Sequence, residues 1–123
     1  MLANATQLLN LSARDFLVIN TMQTEETITI DPAHPSLEGH FPGNPIVPAV
    51  VILGEVIEAL RKTINDPMQV ATIHYAKFVS SLKPREMLTI RLEIENKEEA
   101  TFTCQVGSRL ISSGSLRFTS LAG

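Results

Sequence analysis

From residue 86 onward, hydrophobic and polar positions alternate cleanly. Leu88, Ile90, Leu92 and Ile94 fall on one side and Thr89, Arg91, Glu93 and Glu95 on the other, the period of a strand with one face against a core. After the polar turn at residues 96–99, Ala100, Phe102, Cys104 and Val106 alternate with Thr101, Thr103 and Gln105, so the two runs predict a hairpin. Gly107 and Ser108 supply a second turn, and residues 109–119 predict a further strand in which Gly114, Leu116 and Phe118 share a face. A glycine inside a strand marks a bulge or the close approach of another part of the chain. Residues 25–30 (EETITI) and 69–79 (QVATIHYAKFV) predict two more strands, the second with a weaker alternation.

One segment breaks this β pattern decisively. Val50, Val51, Ile52, Leu53, Val56, Ile57 and Leu60 recur at helical spacing and cover most of the circumference, which predicts a helix buried on more than one side. Pro48 suits its first position, where a missing N–H costs nothing, and the helix is expected to end between residues 63 and 66, before Pro67. A short additional helix is expected over residues 5–16 (ATQLLNLSARDF). One buried helix with antiparallel strands predicts an α+β domain whose sheet wraps the helix. Such a sheet leaves an open edge, so pairing with another copy is expected.

Composition sets limits on this picture. The chain has 123 residues, 44% hydrophobic and 19% charged, enough for one core and one domain spanning residues 1–123. A net charge of -3 offers no basic field for nucleic acid or an anionic membrane, and neither is expected as a partner. The first residues lack the pattern of a signal peptide, and no apolar run approaches the roughly 18 residues that span a bilayer. Cys104 is the single cysteine, so no internal disulfide is expected, no metal-type Cys/His spacing appears, and a reducing cytosol is the natural compartment. No metal or organic cofactor is implied.

The candidate chemistry lies just before the helix, in the stretch EGHFPGNPIVPAV, residues 38–50. Pro42, Gly43, Pro45 and Pro48 restrict the backbone and hold His40 in place. The helix N-terminus that follows offers free N–H groups and the positive end of a dipole. An imidazole beside such amides is what proton abstraction next to a carbonyl needs, since the base takes the proton and the amides hold the developing enolate oxygen. Apolar surroundings disfavour the imidazolium and keep His40 able to act as a base.

GHFPGNPIVPAV, together with HPSLEGHF upstream and AKFVSSLKPREMLTIRLEIE downstream, closely resembles the 3-hydroxyacyl-acyl-carrier-protein dehydratases of bacterial type II fatty acid synthesis, over about residues 25–119. The resemblance implies the hot-dog fold, an antiparallel sheet wrapped around one long central helix. It further implies a homodimer, or a higher oligomer of dimers, with active sites at the subunit interface, and an acyl carrier protein bearing the 3-hydroxyacyl thioester as partner. By position, the loop histidine is His40, the amide that binds the thioester carbonyl is that of Ala49 where the family usually has glycine, and Phe41, Val50 and Leu53 line or support the acyl tunnel. Gly43 and Gly54 complete the expected substrate-contacting set.

The departure is at Gly54. The family's helix acid stands fourteen residues after the histidine, and in this chain that position is glycine. Glu55 points about 100° away around a helix. Glu58, at i+4 from Gly54 on the same face, can reach back over the glycine and is the candidate acid. The competing reading makes Glu55, Glu58 and Lys62 a solvated stripe, with Glu58 and Lys62 paired at i+4. His34 reads as a turn residue, His74 as a strand residue with a local hydrogen bond, and Cys104 as core. Arg61, Lys62, Lys77, Lys83 and Arg85 read as ordinary surface or as a basic rim that assists an acidic carrier. Three functions stay open: a dehydratase forming the trans-2-enoyl thioester; a catalytically weakened acyl-thioester-binding homologue or heterodimer subunit; and a hot-dog thioesterase.

Overall fold

The computed structural model describes residues 22–37, 45–64, 67–96 and 98–121; the helix expected over residues 5–16 lies outside them. Five strands, β1 (Met22–Ile28), β2 (Met68–Phe78), β3 (Leu88–Glu95), β4 (Glu99–Val106) and β5 (Arg109–Ser120), form one sheet in the order β1-β3-β4-β5-β2. All neighbouring pairs are antiparallel. The one α-helix among the described residues, α1 (Ala49–Ile64), lies on one face of the sheet.

The alternation carries directly into the register. Leu92 sits opposite Phe102 and Ile90 opposite Cys104, so the inward rows of β3 and β4 meet and are buried together with Leu116 and Phe118 of β5. Each such apolar side chain contributes roughly 1.5–3 kcal/mol when removed from water. Gly114 is a close-approach glycine: an added Cβ would stand 2.5 Å from two Phe102 ring carbons and from the Tyr75 carbonyl oxygen. Left-handed backbone at Asn96 (φ 54) and Gly107 (φ 58) turns the β3–β4 and β4–β5 hairpins, conformations these residue types adopt at little cost.

Three expectations are corrected. β1 begins three residues before the EETITI run and ends at Ile28, while Ile30 leaves the strand, stays in the core, and accepts a hydrogen bond from the Arg85 N–H at 3.0 Å. In α1, Ile52, Val56, Ala59 and Leu60 are buried, but Val51, Leu53, Ile57 and Ile64 are only half-buried and Val50 is 73% exposed. One chain therefore covers one face of the helix, not several. Finally, Glu58 pairs with Arg61 at 2.8 Å instead of Lys62, whose Nζ reaches Glu26 of β1 at 3.1 Å. That cross-element ion pair and the Thr24–Thr63 hydroxyl contact at 3.4 Å fasten the end of α1 to the β1 edge.

The weak alternation of β2 also has a physical origin. Its pairing with β5 shifts register between Val70 and Thr72 and again between Ile73 and Tyr75, and each irregularity moves following side chains to the other face.

Candidate functional site

The strap at residues 45–48 ends in Pro48, whose carbonyl accepts hydrogen bonds from the N–H groups of Val51 (3.0 Å) and Ile52 (3.3 Å) and so begins the helix. The next residue back, Val47, donates its N–H to the Leu82 carbonyl at 2.8 Å, pressing the strap against the loop that follows β2. Among the described residues, the N–H groups of Ala49 and Val50 donate to no backbone carbonyl, as geometry requires of a first helical turn. No acidic residue lies in that turn, while Arg61 and Lys62 stand in the last, so the helix itself places no negative side chain at the positive end of its dipole, an arrangement that suits a partly negative oxygen.

This helix end opens into a groove of about 320 Å³. Ile46 and Val47 of the strap and Ala49 and Ile52 of the helix make one wall, and Phe78–Leu82 make the other. The second wall is held from behind. Arg109 donates to Ser80 Oγ (2.8 Å), to the Ser81 carbonyl (2.6 Å) and to Glu86 (2.5 Å), and the Lys83 N–H donates to Glu86 at 2.8 Å. The Lys83 N–H, and after it the Arg109 guanidinium, hold the Glu86 carboxyl below the usual glutamate range.

The expected site residues divide. His40, Phe41 and Gly43 lie outside the described residues. Ala49 lines the groove. Leu53 is half-buried against the core, whereas Val50 and Gly54 are exposed on the outer side of α1. Nothing stands within 4 Å of a Cβ added at Gly54. Glu58 is one turn further along that outer face, its side chain 52% exposed and bonded to Arg61. The wall at Phe78–Leu82 was not singled out from sequence as lining a site; its signal there was the adjacent apolar pair Phe78–Val79, which breaks alternation at a strand end.

The remaining candidates take ordinary places. His34 donates its N–H to the Asp31 carbonyl and accepts from the Leu37 N–H, both at 2.9 Å, in a turn. His74 contacts Glu99 at 3.0 Å on β2. Cys104 is fully buried, and burial pushes its thiol up, away from the reactive thiolate. On the opposite side of the sheet, a polar hollow of about 580 Å³ near β1 is bridged by its own side chains, Arg91 with Glu25 at 2.6 Å and Gln23 with Glu93 at 2.7 Å. No helix among the described residues is long and apolar enough to cross a membrane.

Residues 19–115 match the family model described as ApeI-like, ApeI dehydratase. The 3-hydroxyacyl-[acyl-carrier-protein] dehydratase FabZ of Chlamydia trachomatis serovar L2 is 34% identical over 107 residues, covering 76% of this chain and 69% of that protein. The FabZ of Levilactobacillus brevis is 28% identical over 92 residues, covering 66% of this chain; the match spans only 62% of that relative's length. Among solved structures, an uncharacterized protein from Erwinia carotovora subsp. atroseptica superposes with a TM-score of 0.73 at 27% identity, covering 84% of this chain and 87% of that one. The dehydratase heterocomplex ApeI:P from Xenorhabdus doucetiae gives a TM-score of 0.65 at 22% identity, covering 81% and 94%, a likeness of fold. The architecture is the hot-dog fold expected from the loop motif.

Proposed function

The chain belongs to the ApeI-like dehydratase family, and on that premise we propose that it removes water from a 3-hydroxyacyl thioester carried by an acyl carrier protein, giving the trans-2-enoyl thioester. The observation that carries this reading is the Ala49 N–H, which donates to no described backbone carbonyl, at the head of a groove lined by Ile46, Val47, Ile52, Phe78 and Leu82 together with Ser80 and Ser81. The acyl group lies in the groove and the thioester carbonyl accepts the Ala49 hydrogen bond. His40 takes the proton from C2, and the electron pair moves onto the carbonyl oxygen, which the amide and the helix dipole stabilise. As the pair returns, the C3–O bond breaks, the departing hydroxyl receives a proton from Glu58 on the helix of a second copy, and water leaves. Each proton transfer in such a step is worth about 10²–10⁴ in rate.

The site is completed by a second chain. The β2 edge exposes Ile73, Tyr75 and Phe78, with Val79 just beyond it, while the β1 edge presents Gln23, Glu25 and Thr27. An apolar edge invites strand pairing and a charged edge resists it, so a second copy pairs along β2, covers the outer side of α1, and forms a cytosolic dimer. The empty position at Gly54 supports a second reading, in which a homologous but different subunit supplies the missing helix acid.

The test is enoyl formation from a panel of 3-hydroxyacyl-carrier-protein substrates by the wild type, His40→Ala, Glu58→Gln and Gly54→Glu, with free thiol followed in parallel. Activity lost in His40→Ala and Glu58→Gln supports the first reading. Silence of the wild type with activity in Gly54→Glu supports the subunit reading, and thiol release without enoyl would replace dehydration with hydrolysis.

A further inference from the structure

Residues 83–86 form a tight turn in which the Glu86 N–H donates to the Lys83 carbonyl at 3.2 Å, with Pro84 and Arg85 at the corners. Proline suits the first corner. Arg85 takes the second with φ 74, in left-handed backbone, where glycine or asparagine is the usual occupant and a long side chain is strained. The turn has a structural task, because the Arg85 N–H donates to the Ile30 carbonyl at 3.0 Å, but any residue other than proline supplies that N–H. The backbone accounts for the turn and leaves the arginine unexplained.

The side chain supplies the reason. Arg85 is exposed, and among the described residues its guanidinium makes no hydrogen bond or ion pair. Lys83, also exposed, stands on the same turn, and the carboxylate there, that of Glu86, is held by Arg109. Asp31, next to Ile30, turns its carboxylate onto the Ala33 N–H at 2.7 Å. A chain of net charge -3 thus gathers Lys83, Arg85 and Arg109 around the single carboxylate of Glu86. This turn abuts the groove. Leu82, the residue before it, lines the groove and accepts the Val47 N–H at 2.8 Å, and Arg109 binds Ser80 and Ser81 of the wall as well as Glu86.

We infer that Arg85 is a specificity-determining residue: its guanidinium pairs with the phosphate of a phosphopantetheine thioester whose acyl end occupies the groove. This rests on the acyl-thioester reading of the groove and deepens it by assigning the charged end of the substrate. The phosphate sits at the far end of the pantetheine arm, outside the groove, and the planar guanidinium fork matches its oxygens with two parallel hydrogen bonds. A strained backbone retained where a smaller residue would fit without strain is the pattern of a position held for binding and not for folding.

The experiment uses the intact protein and two alkyl thioethers of one chain length, one of phosphopantetheine and one of pantetheine. Melting temperatures without ligand, and dissociation constants by calorimetry at one low ionic strength, are measured for wild type, Arg85→Gly, Arg85→Asn and Arg85→Lys. Wild type is expected to bind the phosphorylated thioether about fivefold tighter or more, the scale of a well-formed exposed ion pair. Arg85→Gly and Arg85→Asn lose that preference, bind the pantetheine thioether as wild type does, and melt about 2–5 °C higher as the strain is relieved. Arg85→Lys keeps part of the preference without the gain in melting temperature. A phosphate preference that persists in both uncharged variants, or is absent from wild type, overturns the inference while leaving an acyl groove. A lower melting temperature in both uncharged variants also overturns it, since the arginine would then be serving the turn. Failure of both thioethers to bind removes the groove reading and this inference together.

Discussion

Arg61 Nη1 donates to Glu58 Oε2 at 2.8 Å, one turn beyond Gly54 on the outer side of α1, with both side chains about half exposed. In this chain the pair is a surface ion pair of the kind worth at most about 1 kcal/mol. Glu58→Gln is therefore expected to leave thermal stability nearly unchanged while lowering enoyl formation by about 10²-fold or more, as loss of a general acid does. Rates measured beside melting curves decide it. An unchanged rate assigns Glu58 to the solvated stripe.

Gly54 gives a sharper view of the same face. Because nothing in this chain lies within 4 Å of a Cβ there, Gly54→Ala should gain the helix-propensity difference, about 0.8–1 kcal/mol. Urea unfolding of the variant reads this directly. A loss of stability instead would show that the second copy proposed to cover this side of α1 packs directly against the glycine.

Gly114 behaves in the opposite sense. A Cβ there meets the Phe102 ring and the Tyr75 carbonyl at 2.5 Å, and the carbonyl belongs to a paired strand that cannot swing aside. Gly114→Ala should cost about 1–3 kcal/mol by overpacking, and adding Phe102→Leu should restore only part of it. Full restoration by the double variant in a denaturation series would show that the β2 backbone yields.

Much of this was legible in sequence because it depends on local periodicity. β3 and β4 follow their alternation within a residue, since each has one face against the core and one in water. Gly114 announced a close approach, although only the fold shows that Phe102 and Tyr75 are what it approaches. β2 was blurred because two register shifts scramble its alternation. The exposure of Val50 could not be read at all: an apolar helix surface looks the same in sequence whether its own sheet or another chain covers it. The helix start was expected at Pro48 and falls one residue later, at Ala49, while the opposite groove wall comes from the end of β2 and its following loop some thirty residues away, and Arg109, which holds that wall, lies further still.

The contrast between the two sheet edges sets the next expectation. Ile73→Lys puts a charge on the apolar β2 edge and should convert dimers to monomers in light scattering after gel filtration. Glu25→Lys on the β1 edge should leave the mass unchanged, though it loses the Arg91 ion pair. Monomers from both variants, or from neither, would move the interface away from β2.

Glu86 links the groove wall to pH. Its carboxyl accepts from the Lys83 N–H and from Arg109, and both depress its folded pKa. A depressed carboxylate stabilises the fold fully above its unfolded pKa, about 4.3. That contribution is lost as pH falls through the lower folded value. The melting-temperature difference between wild type and Glu86→Gln should thus be constant from about pH 7 to about pH 5 and shrink below about pH 4. Because Arg109 also grips Ser80 and Ser81, binding of an alkyl pantetheine thioether in the proposed acyl groove should weaken over the same acid transition. Thioether binding that stays constant through that range, while the stability gap closes, would separate the ion pair from the groove.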